Sequence, residues 1–161
     1  MPNITLPDGS VRSFEAAVSG SEVAAGIGRK LEKDAVAIRV NGELRDLTTT
    51  LESDASVEII TRTSDDGVEL LRHDAAHVMA EAVKELFPET QVTIGPAIEH
   101  GFYYDFAREQ PFTPEDLEKI EARMHEIVAR NEAITREVWE RADAVKFFEA
   151  HGEAYKAEII A

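Results

Sequence analysis

Two histidines four residues apart, in Arg72-His73-Asp74-Ala75-Ala76-His77, are the residues of this sequence best placed to do chemistry. The run reads as helical, and positions i and i+4 of a helix share a face, so both imidazoles can address one ligand. Imidazole accepts or passes on a proton near neutral pH, and it also ligates metals. At about 100° per residue, the apolar positions Leu71, Ala75, Val78, Ala82 and Leu86 fall on another side and are expected to face the core. Ala76, Ala80 and Lys84 lie beside the histidines, so short side chains leave room above the backbone and a cation stands one turn on. That face reads as the floor of a pocket. An arbitrary pair at this spacing is more often just solvated, so the rest of the chain has to decide its meaning.

The elements that must position the pair follow from period and punctuation. Ile4 and Leu6, then Pro7-Asp8-Gly9-Ser10, then Val11 and Phe14 predict a hairpin about an Asp-Gly turn. Ser19 or Ser21 caps a helix carrying Val23, Ile27 and Leu31. Gly26-Ile27-Gly28-Arg29-Lys30 lacks the Gly-Lys-Ser/Thr ending of a phosphate loop, so its glycines are read as close packing of helix on sheet. Strands are expected at Ala35 to Val40 and Val57 to Thr61, with a turn at Asn41-Gly42. Hairpin, helix and strands in about 60 residues suit a β-grasp module, one helix crossing a small mixed sheet. Thr63-Ser64-Asp65-Asp66-Gly67 reads as a polar linker ending in helix caps, which places a domain boundary between residues 62 and 63.

Beyond the histidine helix, Gln91 to Ile94 and Gly101 to Phe106 read as strands. Phe102, Tyr104 and Phe106 would then share a face, with Tyr104 a candidate hydroxyl donor at a pocket wall. Thr113-Pro114-Glu115-Asp116 opens a long helix with cap, first-position proline and capping box. Leu117, Ile120, Met124, Ile127 and Val128 form its apolar stripe, and His125 is expected at the surface. A strand at Ile134 to Trp139, a short helix capped by Asp143 and stopped at Gly152, and a final strand through Lys156, interrupted mid-domain, complete the reading.

Composition narrows the function. The chain has 161 residues, 43% of them hydrophobic, and a formal charge of −15. Such an excess of acid argues against a broad sequence-blind nucleic-acid surface, which needs Lys and Arg to neutralise phosphates. The first 62 residues carry −3 and the remainder −12. With no cysteine there is no disulfide and no thiolate metal site, which fits a reducing, cytoplasmic setting. No apolar run approaches the roughly 20 residues of a membrane helix, so no membrane partner is expected.

Several motifs stand in a shared order and spacing: Pro2-Asn3-Ile4-Thr5-Leu6-Pro7-Asp8-Gly9, Arg39-Val40-Asn41-Gly42, Arg72-His73-Asp74-Ala75-Ala76-His77, Ile94-Gly95-Pro96 and Gly101-Phe102-Tyr103-Tyr104-Asp105. Together they resemble bacterial threonyl-tRNA synthetases over the whole chain. The resemblance implies an α+β architecture: a ubiquitin-like β-grasp TGS domain at 1–62, then the N-terminal part of a truncated editing domain at 63–161. It implies that the parent is a threonine–tRNA ligase, a homodimer working on threonine tRNA. Its ATP, magnesium and zinc sites would lie in a catalytic domain absent here. The second domain would hydrolyse serine mischarged onto that tRNA, contacting its 3′ end, although this piece alone would be inactive. Carried over residue by residue, the implied editing groups are His73, His77, Tyr104 and Lys156, the last in Gly152-Glu153-Ala154-Tyr155-Lys156. The family's cysteine and histidine half-motif is not present, so the editing site that the resemblance implies is incomplete here.

The proposed role has a physical logic. Serine and threonine differ by one methyl, worth only about 1–3 kcal/mol of discrimination in a pocket, so a second, hydrolytic site is needed. Ester hydrolysis needs a positioned water, a group that moves a proton near neutrality and a charge for the oxyanion, which histidine and lysine provide. Two alternatives compete. A metallohydrolase could use the histidine pair with a third ligand such as His100 or Asp105, but Asp74 stands where a zinc protease has glutamate as base. A non-catalytic interaction module is the other.

Overall fold

Ile4 turns inward between exposed Asn3 and Thr5 in strand β1 (Asn3–Thr5), and this period of two seeds the first sheet. The computed structural model describes residues 1–161. The chain packs as two units, Met1–Leu71 and Arg72–Ala161.

In the first unit β1 is followed by β2 (Val11–Ser13), β3 (Val18–Ser19), helices α1 (Gly20–Ile27) and α2 (Arg29–Asp34), then β4 (Ala35–Val40), β5 (Glu43–Arg45), β6 (Thr50–Leu51) and β7 (Ala55–Thr61). Five strands form one sheet in the order β2-β1-β7-β4-β5, and β3 pairs with β6. Only β1 and β7 run parallel, and a parallel pair needs a crossover, which the two helices supply. This is the expected β-grasp arrangement. Val23 of α1 packs with Ile4, Ile38, Leu51 and Val57 in the core, each worth about 1.5–3 kcal/mol when fully buried.

Both hairpin turns rest on left-handed residues: Gly9 at φ 81° in the first, Asn41 at 50° and Gly42 at 90° in the second. Two successive positive φ values give the turn twist that matches β4 and β5. Ser19, not Ser21, caps α1 and forms a capping box with Glu22. The close-packing reading of Gly26 and Gly28 is corrected: a Cβ at either would meet open space. Gly28 instead breaks the helix into two. The tight glycine is Gly20, where a Cβ would stand 2.8 Å from Ile38 and 2.9 Å from the Leu47 carbonyl.

The expected linker is shorter than its polar composition suggests, because α3 (Asp65–Leu86) already starts at Asp65. Ser64 is its cap. Its hydroxyl accepts from the Gly67 N–H at 3.2 Å and donates to the Thr61 carbonyl at 2.7 Å, while Asp66 pairs with Arg39 of β4. The first turn of α3 is thus tied to the first unit.

The second unit continues α3 and adds β8 (Gln91–Val92), β9 (Ala97–Ile98), β10 (Gly101–Phe102), β11 (Phe106–Ala107), α4 (Pro114–Arg130), α5 (Arg141–Ala150) and α6 (Ala154–Ile160). β9 pairs with β10 and β8 with β11, both antiparallel. The single strand expected over Gly101 to Phe106 is therefore broken at Tyr103 to Asp105. Ala82 and Val83 of α3 pack on Ile120 of α4, flanked by Met79, Leu86, Phe106, Met124 and Ile127. Thr113 caps α4 with Asp116 in a capping box, as its sequence requires. Glu85 clamps the two helices. Arg130 reaches both its oxygens at 2.6 and 2.8 Å and Arg123 adds a bond at 2.8 Å. These guanidiniums, Arg130 foremost, hold the carboxyl down to about 2.

Three further expectations are corrected. Ile134 to Trp139 forms no strand, and Ile134 stays 97% exposed. Asp143 lies in the first turn of α5, whose preceding residue is Glu140. The C-terminal run is a helix: Gly152, at φ 73°, turns the chain after α5, and Ala154, Ala157 and Glu158 favour helix over the strand suggested by Ile159 and Ile160.

Two outcomes follow. Trypsin should cut first after Arg136, in the exposed extended stretch Asn131–Glu140, and not at the capped start of α3; mass analysis of early fragments decides this. Gly67→Ala would drive a Cβ into the Thr61 carbonyl oxygen. It should destabilise the fold by about 1–3 kcal/mol in urea unfolding.

Candidate functional site

The long helix α3 presents its histidines as the spacing requires. The Nε2 atoms of His73 and His77 lie 2.9 Å apart, and the rings meet edge to face with centroids at 4.6 Å. At that distance one Nε2 carries a proton and the other accepts it, so the pair shares one hydrogen bond. The helix is rotated from the expected stripe. Ala76 and Ala80 are buried at 1% and 8% exposure together with Ala82 and Val83, whereas Leu71 is 44% exposed. Ala76 and Ala80 are small enough to bury beside the histidines, so the core extends under them.

His77, Ala80 and Lys84 form one wall of a cleft of about 400 Å³, faced by Tyr104 and by Phe148, Glu153 and Lys156 of the α5–α6 corner. Three of the four residues named from the sequence, His77, Tyr104 and Lys156, thus line one cavity. His73 joins through His77. Lys156 sits on helix α6 and not on a strand at a sheet edge. Its ammonium lies 5.6 Å from the Phe148 ring and enters no salt bridge.

Tyr104 is placed by a close approach that the sequence did not reveal. A Cβ on Gly95 would overlap the Tyr104 ring, so glycine is needed for the ring to lie against the backbone there. Asp105 N–H donates to the Ile94 carbonyl at 3.0 Å and Thr93 N–H to the Asp105 carbonyl at 3.2 Å. These bonds hold the two strand ends together around the ring, which stacks on Phe106 at 4.8 Å. Burial, reinforced by the Glu153 carboxylate, holds the phenol above its ordinary range, so Tyr104 keeps its proton and can donate.

His77 keeps an exposed edge, yet the walls desolvate it enough to push its pKa below the ordinary 6.5, and His73 and Lys156 add to the shift against the opposing effect of Asp74. It is neutral at physiological pH. Residues that sequence reasoning missed complete the cleft. His151 holds Nδ1 2.7 Å from the Phe147 carbonyl, the geometry of a ring donating from Nδ1. Glu153 meets Lys84 at 2.7 Å. His151 has no local signal and Glu153 stood only as part of the Gly152-to-Lys156 motif, because each reaches the cleft through the packing of α5 and α6.

The ligands a metal site would add are elsewhere: His100 is 86% exposed, Asp105 and His125 face solvent, and no three His, Asp or Glu side chains are gathered closely enough to hold a metal ion.

The TGS domain family matches residues 2–61. Over its whole length the chain is similar to an N-terminal region of threonine–tRNA ligases. That of Paramagnetospirillum magneticum is 66% identical over 162 residues, taking in 100% of this chain and 25% of that protein. The threonine–tRNA ligase of Parvibaculum lavamentivorans is 63% identical over 161 residues, with the same coverage. That of Rickettsia akari is 58% identical over 161 residues. The chain spans about 25% of the length of these relatives. No helix is long and apolar enough to cross a membrane.

The titration of His77 is the direct check on this site. Its midpoint by NMR should lie below 6.5, and Lys156→Met should raise it by removing a neighbouring cation. Below pH 6.5 the unfolded chain then binds more protons than the native one, so stability should fall as pH drops towards the folded midpoint. His77→Gln should flatten that slope.

Proposed function

We propose that this chain acts as part of a threonine–tRNA ligase and that its second unit, taken from residue 63, contributes to hydrolytic editing of serine mischarged onto threonine tRNA. The observation that carries the reading is the hydrogen-bonded His73–His77 pair opening into a cleft shared with Lys156 and Tyr104. The neutral pair can take a proton from an attacking water, and its second ring stabilises the imidazolium that forms. The Lys156 ammonium, without a carboxylate partner, is placed to stabilise negative charge developing on the ester carbonyl oxygen. Tyr104, protonated and half-buried, can donate to a hydroxyl or carbonyl of the bound group. A cleft of this size admits an aminoacyl group with little else, which suits the 3′ end of a charged tRNA as partner.

The ATP and zinc chemistry that the resemblance implies is assigned to the catalytic domain of the ligase. The −15 charge means that the bulk of a tRNA would have to be held by other parts of a longer ligase.

The test is deacylation of seryl-tRNA by the complete ligase. His73→Ala with His77→Ala should slow it by about 10²–10⁴-fold, the usual worth of a general base, while threonine charging is unchanged. Wild-type deacylation by the double variant would sink the reading.

A further inference from the structure

Lys84 stands on the histidine face of α3, yet no step of the hydrolysis described above uses it. Its ammonium bonds the Pro88 carbonyl at 2.8 Å, the Thr90 carbonyl at 3.1 Å and Glu153 Oε1 at 2.7 Å. An ammonium has three N–H donors, so all are engaged and none is left for a ligand. The bond to Glu153 is the only side-chain hydrogen bond or ion pair that joins residues 141–161 to the rest of the second unit.

Glu153 immediately precedes α6, and Lys156 lies in the first turn of that helix, three residues on. Opposite charges at this spacing are neighbours and ordinarily attract one another. Here they do not pair. The Lys156 ammonium enters no salt bridge and lies 5.6 Å from the centre of the Phe148 ring. The direction of the Glu153 carboxylate accounts for this. Lys84 holds Oε1, and Oε2 is buried, so neither oxygen is turned to the lysine that follows it in sequence.

We propose that Lys84 is a positioning residue: by holding the Glu153 carboxylate inward, it keeps the Lys156 ammonium free in the cleft. The assignment rests on the editing reading above, which gives Lys156 its task at the ester carbonyl. With Lys84 made neutral, an unpaired and largely buried carboxylate stands one helical turn from Lys156, and the cost of leaving it so draws that ammonium over. The pair so formed cancels the charge intended for the oxyanion. Lys84 thus acts on the reaction through Lys156, and the helix that carries the histidines also sets the state of the cation.

The test is a double-mutant cycle on the complete ligase, read as kcat/KM for deacylation of threonine tRNA esterified with serine. Lys84→Met should slow it about 10–100-fold, as the loss of charge at an oxyanion does. In a Lys156→Met background the same substitution should change the rate by less than about threefold, because no ammonium remains to be diverted. A lysine with a merely structural role slows both backgrounds alike, and that result overturns the assignment. Lys84→Met combined with Glu153→Gln leaves neither a carboxylate to capture Lys156 nor an uncompensated buried charge, so it should regain at least about tenfold of the loss. Failure to regain it also overturns the assignment. A Lys156→Met ligase that deacylates at the wild-type rate removes Lys156 from the editing reading and overturns the assignment with it. A wild type that leaves the serine ester intact overturns the whole reading.

Discussion

The second unit depends on a single ammonium group. Lys84 leaves α3 and bonds the Pro88 and Thr90 carbonyls and the Glu153 carboxylate, so one cation joins the helix, the turn after it and the α5–α6 corner. The Glu153 side chain is 13% exposed and that of Lys84 31%. Removing one member of such a pair leaves an uncompensated charge, which costs about 3–5 kcal/mol.

Within the cleft the charges are sorted by location. The acidic side chains that dominate the composition are spent on clamps and caps, as with Glu85 between two arginines and Asp116 at the start of α4. Lys156 keeps its charge unpaired, and desolvation, with His73 adding to it, pushes the His77 pKa down. His77 and the unpaired ammonium thus share one cleft in a strongly acidic chain.

Local signals in the sequence were reliable where one element decided its own structure. The Asp-Gly and Asn-Gly turns, the Thr113 cap and the histidine spacing were all legible, since each depends on residues within one turn of each other. Longer-range facts were not. Gly95 reads as an ordinary turn residue until the Tyr104 ring is laid against it, and Gly26 and Gly28 read as packing glycines although Gly20 is the crowded one. The last helix was misread because Ile159 and Ile160 carry β propensity, while Ala157, buried at 5% exposure, packs its inner face. His73, His77, Tyr104 and Lys156 came from the motif and its resemblance. Glu153 and His151 needed the fold.

The two walls of the cleft differ in mechanical standing. α3 is 22 residues long and carries buried Ala76, Ala80, Ala82 and Val83, whereas α6 has seven residues with Ala157 as its one buried side chain. A helix of that length is marginal without tertiary support, so α6 owes its order to the contacts it makes. Lys156 rides on it. The position of the lysine is thereby set by the packing of a short helix, and that of the histidines by a long one.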